Sequence, residues 1–75
     1  MTADDLPVYP AMTLHMGERF LVEPSDDEPF WATLRMHLGW GIVHGAIRLE
    51  CLRDGEDVPF TYEIDHRAPV KVVRA

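Results

Sequence analysis

At 75 residues the chain makes one small domain, and a domain of this size buries only ~60% of the surface its unfolded form exposes, so self-association or a partner is a common source of extra stability. Hydrophobic residues at 47% exclude a disordered chain, while thirteen acidic side chains against seven basic ones, a formal charge of −6, exclude the clustered cations that direct nucleic-acid binding requires. The single cysteine, Cys51, excludes an internal disulfide and fits a reducing compartment; with no basic leader and no long apolar run, the chain reads as cytoplasmic, with no membrane contact.

Residues 1–11 contain two prolines and no periodicity, and read as an extended N-terminal arm ahead of a folded domain at 12–75. Met12, Leu14, Met16, Phe20 and Val22 then alternate with polar residues, the period of a half-buried strand, with a bend at Gly17-Glu18. The stretch "EPSDDEP" is a loop. Phe30 to Leu38 supports two readings. As a strand it puts Phe30, Ala32, Leu34, Met36 and Leu38 on one inward face. As a helix it has a capping pair in Ser25 and Glu28, Pro29 in the first turn and Gly39 as a stop. The strand is preferred.

After a glycine-flanked turn at Trp40, the odd positions Val43, Gly45, Ile47, Leu49 and Cys51 point inward. Asp54-Gly55 carries the signature of a tight hairpin. Val58, Phe60, Tyr62 and Ile64 follow as the inward face of the next strand, and Pro59, lacking an N–H, marks that strand as an edge or a bulge. A turn at "HRAP" leads into a last short strand, "VKVV". The expected fold is mainly β: a single-domain antiparallel meander of about five strands curled into a barrel, or, on the helical reading, β-α-β-β-β with a short helix at 29–38.

Register refines this. With Asp54 and Gly55 as the hairpin residues, Leu49 meets Phe60 and Ile47 meets Tyr62, inward against inward. An even turn centred near Trp40 sets His37 opposite His44, and the second hairpin sets Asp65 on the far side of His44. The row His37–His44–Asp65 is a donor set that zinc or iron accepts, with His15 and His66 as looser candidates to complete it. The plainer account is a surface hydrogen-bonded pair of His44 with Asp65, and neither His-x-His nor His-x-x-x-His spacing occurs in the sequence.

Trp31 and Arg48 fall on the outer face, with Arg35 between Trp31 and the histidines. Exposed tryptophan beside arginine is a common interface composition, and also an ordinary cation–π cap on a sheet. Trp40, at a tip that has no packing need for it, either folds back over the barrel end or inserts into a partner. Nothing suggests an enzyme: Cys51 points inward, where thiols are inert, and there is no nucleophile elbow or phosphate loop.

The reading is therefore a non-catalytic acidic protein-binding or assembly module without cofactors. It would be a homo-oligomer subunit, or a small inhibitor or adaptor of a larger protein of the kind phages and operons encode, with Trp40, Trp31, Arg48 and Arg35 as partner-binding residues. The acidic runs at Ser25–Pro29 and Asp54–Asp57 read as solvated loops, or else as an imitation of a phosphate backbone. The alternative function is a small metal- or ligand-binding β-barrel using the His37, His44, Asp65 row with zinc or iron.

Overall fold

The computed structural model describes residues 6–74. It contains β1 (Val8–Pro10), a 3-10 turn (Ala11–Thr13), β2 (Arg19–Val22), β3 (Phe30–Trp40), β4 (Ala46–Arg53), β5 (Phe60–Asp65) and β6 (Pro69–Val73). All six strands form one sheet in the order β1-β6-β2-β3-β4-β5, with every pairing antiparallel. The ambiguous segment is a strand. As β3 it satisfies backbone groups of β2 on one side and β4 on the other, which a helix at that place could not do.

The expected meander holds from β2 to β5 and then breaks. Ala68 N–H donates to the Asp65 carbonyl at 3.0 Å in a tight turn, and β6 leaves β5 to pair with β2 through Arg19↔Val73 and Phe20↔Val72. Part of the expected arm is a sixth strand: β1 pairs with the other edge of β6 through Val8↔Lys71 and Pro10↔Pro69. Residues 1–5 of that arm lie outside the described residues. The sheet curls around its own apolar face but does not close, so "barrel" describes it only loosely; among the described residues β1 and β5 are its edges.

The core is the inner face of that curl. Leu14, Phe20, Val22, Ala32, Leu34, Ile47, Leu49, Cys51, Val70 and Val72 are buried, and Tyr9, Phe30, Phe60, Tyr62 and Ile64 pack half-buried around them. Phe20 stacks on Tyr62 with centroids 6.4 Å apart, and Phe30 meets Phe60 edge-on at 5.8 Å. Side chains of this size contribute ~1.5–3 kcal/mol each when fully removed from water.

The first expected strand is shorter than its alternation implied. The 3-10 turn and a turn at Met16-Gly17 interrupt the period, so Leu14 enters the core while Met12 and Met16 are exposed. A latch holds this region to the end of β6. Arg74 Nη2 donates to Glu18 Oε1 at 2.8 Å and to the Thr13 carbonyl at 3.1 Å, and Arg74 Nε donates to Glu18 Oε2. The guanidinium lies 3.8 Å over the Tyr9 ring, and His15 N–H donates to Glu18 Oε1 at 2.7 Å. The Arg74 hydrogen bonds, aided by the His15 N–H and opposed by burial, hold the Glu18 carboxyl down to about 2.

The β4–β5 register is two residues away from the tight-hairpin expectation. Leu49 opposes Tyr62, Ile47 opposes Ile64, and Ala46 opposes Asp65. The strand resumes only at Phe60, after a longer loop that leaves Val58 exposed rather than inward. Because the slip is even, inward still meets inward.

Candidate protein-interaction surface

β2 pairs with β3 only from Phe30 to Thr33. Leu34 exchanges backbone bonds with Gly17 and Glu18, and from there to Trp40 the described residues give β3 strand pairing with β4 alone. The outer half of β3 thus lies at the rim of the sheet, paired on one side only, opposite β4 residues that include the buried Leu49 and Ile47. Its register with β4 shifts twice, between Leu34 and Met36 and again between His37 and Gly39. Gly39, at φ 99°, takes a backbone conformation that other residues resist, which suits it to the second bulge. These bulges, together with the end of β2, break the inward alternation. Met36 and Leu38, expected in the core, are 46% and 41% exposed.

The hairpin tip closes with Gly41 N–H donating to the Ala46 carbonyl at 2.8 Å and Ala46 N–H donating to the Val43 carbonyl at 3.0 Å, with Gly45 at φ 84°. The turn therefore spans residues 41–45 and is not a two-residue turn at Trp40-Gly41. It presents Ile42 at 94% exposure, Trp40 at 69% and Val43 at 64%, so Val43 too points to solvent and not inward. Trp40 does not fold back into the core. Its ring meets His66 edge-on at 5.5 Å, and the two rings with Ile42, Val43 and His44 border a shallow hollow of about 420 Å³. Five large apolar side chains exposed on one short hairpin are more than the isolated surface hydrophobes usual on monomers.

The longer turn and the β4–β5 slip disperse the expected histidine row. His37 opposes Leu49, and its Nε2 donates to the Leu14 carbonyl at 2.7 Å, tying the hairpin base to the 3-10 turn. His44 stands exposed in the tip loop. Asp65 opposes Ala46, and its carboxylate accepts the Arg67 N–H at 2.8 Å. His15 sits beside Glu18 at 3.3 Å, and His66 Nδ1 donates to the Gly45 carbonyl at 2.6 Å. Among the described residues no three His, Cys, Asp or Glu side chains are grouped so as to hold a metal ion.

The arginine–tryptophan surface is also rearranged. Trp31 is half-buried under Arg19, whose guanidinium lies 4.6 Å from the ring centroid, and Arg19 Nε donates to Asp54 at 3.0 Å. Trp31 is thus a capped sheet residue, served by neither Arg48 nor Arg35. Arg48 Nε lies 4.0 Å from Glu63 Oε1 on the outer face of β4 and β5. Arg35 is exposed at the start of the outer half of β3, and Arg48, opposite Gly39 on β4, shares the hairpin with it and with Trp40. Ile42, Val43, Met36 and Leu38 belong to this surface and were not expected there; the apolar "IV" directly after Gly41 was the available signal.

Burial, with Glu50 adding to it, pushes the Cys51 thiol up to about 12, so the thiolate is scarce at neutral pH. No helix among the described residues is long and apolar enough to cross a membrane. The chain matches no family model, no curated protein and no solved structure.

Proposed function

We propose that this protein is a non-catalytic binding module that docks onto another protein through its β3–β4 hairpin. The observation that carries this reading is the exposure of five large apolar side chains, Met36, Leu38, Trp40, Ile42 and Val43, on the half of the hairpin that β2 does not pair with. Burying such a surface is the usual driving force for association, and a tryptophan near its centre is the residue type most often found at binding hot spots. The docking partner is either a second copy or a larger protein, in a reducing, cytoplasmic setting that suits the chain's single buried thiol. The acidic loop at Asp54–Asp57 fits solvation and internal pairing better than phosphate mimicry. Asp54 is taken up by Arg19, and Glu56 lies 4.0 Å from Arg53.

A photo-crosslinking residue at Ile42, compared with one at Val58 in the exposed loop before β5, tests the proposal in the native host. The expected outcome is a discrete adduct from position 42 and none from 58. A second copy would add 8.6 kDa, and a larger partner would add more. Equal, diffuse labelling from both positions would show that the hairpin is ordinary surface.

A further inference from the structure

We propose that the free edge of β5 is a second docking site, shaped to accept one extended basic segment as an added strand. Exposed strand edges are usually blunted. β1 is three residues long and ends at Pro10, and the open half of β3 is broken by two bulges. β5 has neither device, and it runs regularly from Cys51↔Phe60 to Ala46↔Asp65 without a register shift.

The hydrogen-bonding phase of this edge follows from one contact. His66 N–H donates to the Gly45 carbonyl at 2.9 Å, and antiparallel pairs alternate between bonded and non-bonded, so Ile64, Tyr62 and Phe60 bond to β4. The N–H and C=O groups of Thr61 and Glu63 then turn away from the sheet, and no described backbone group pairs with them there. The Asp65 carbonyl is already taken by Ala68. β6 diverges from β5 beyond that turn and leaves an open wedge of about 500 Å³. Tyr62, Ile64, Val8, Leu21 and Val70 line it with apolar surface. A strand added to β5 would place every second side chain into that lining and the alternate ones on the outer face.

The outer face of β5 carries Thr61, Glu63 and Asp65. Glu63 is shared between Arg48 at 4.0 Å and the Ile42 N–H at 3.3 Å, and Lys71 offsets Glu23 in formal charge in the wedge, so the acidic character of this edge rests on Asp65, whose side chain is 63% exposed. Lysine or arginine at the alternate positions of an added strand would stand opposite these carboxylates, where opposite charges stabilise a sheet. A second copy fits less well. Pairing β5 with β5 gathers the Glu63 and Asp65 carboxylates of both chains, and its attached β4 would also have to enter the wedge. The backbone edge of β5 lies outside the hairpin, whereas the Glu63 carboxylate also accepts the Ile42 N–H at 3.3 Å, so Thr61 is the position that tests this site apart from the hairpin.

The probe is an extended decapeptide alternating valine with lysine, titrated into the full-length, isotope-labelled protein. Expected are slowed exchange of the Thr61 and Glu63 amides by about tenfold or more, and binding that weakens as salt rises from ~50 to ~500 mM. The same peptide N-methylated at alternate residues should not bind, a control that leaves the protein unaltered. Thr61→Pro, which removes an edge donor without changing charge, and Glu63→Lys should each weaken binding about tenfold, while Trp40→Ala leaves it unchanged. Four results would overturn the proposal: unchanged exchange at Thr61 and Glu63, equal binding of the N-methylated peptide, equal binding of a valine–glutamate peptide, or a dimer that Thr61→Pro converts to monomer.

Discussion

Replacing Trp40 with alanine separates an interaction arm from a piece of core, because the two roles predict different sizes of loss. The ring is 69% exposed, so roughly a third of its surface is out of water. For a side chain with about 250 Å² to bury, that is ~75 Å², and at ~25 cal/mol per Å² it contributes at most about 2 kcal/mol. A chain of 75 residues has a total stability of ~4–11 kcal/mol. The variant should therefore remain folded, with a thermal midpoint lower by about 16 °C or less. Truncating the fully buried Phe20 would instead cost ~3–5 kcal/mol, which is most of the domain's stability where that lies at the lower end of its range. Binding should behave in the opposite way. A hot-spot tryptophan is worth about 2 kcal/mol or more, a loss of ~30-fold in affinity. Urea titration followed by circular dichroism gives the stability, and crosslinking yield from Ile42 gives the association. A loss above ~3 kcal/mol, or loss of the cooperative transition, would show that Trp40 is core after all. A stable variant with undiminished crosslinking would remove the hairpin from the interface.

Two further outcomes follow from buried or latched groups. Glu18 titrates near 2 when folded against an ordinary 4.5, so its stabilising contribution is complete above pH 4.5 and is lost as pH falls from there toward 2. Urea titrations across that window should show a decline in stability that Glu18→Gln largely removes; an unchanged decline in the variant would mean the latch to Arg74 is dispensable. The Cys51 thiol should resist a disulfide-exchange reagent at pH 8 until the chain unfolds, and modification at the rate of a free thiol in native buffer would contradict its placement.

Parity was legible in the sequence and register was not. Phe20, Val22, Ala32, Leu34, Leu49 and Cys51 could be assigned inward from alternation alone, and they are buried. Which residues face one another depends on loop length, and the loop after Asp54-Gly55 extends to Pro59, whose missing N–H delays the strand. A slip of two residues preserves parity, so the core survived it. The histidine row needed the particular partners and did not. Pro59 did mark its strand as an edge, which β5 is. The return of β6 to β2, and the pairing of β1 with β6, join segments far apart in the chain and leave no local pattern to read. Trp40 between two glycines could be read as exposed, whereas Met36 was assigned inward because a strict period of two cannot register a bulge, and Val43 because the turn is longer than expected.

A hairpin whose outer half rests on one neighbouring strand has an opening equilibrium of its own. Past Leu34 the backbone of β3 can detach from β4 while Phe20 and Val72 stay packed, at the cost of its pairings with Leu49 and Ile47 and of the His37 bond to the Leu14 carbonyl, so this segment opens at a lower free energy than the whole domain does. Part of any partner's binding free energy then goes into keeping the hairpin shut. Substitutions at Arg48 or Glu50 that strengthen the β4 side would tighten association without touching the partner, and would do so by raising the fraction of molecules already arranged to bind.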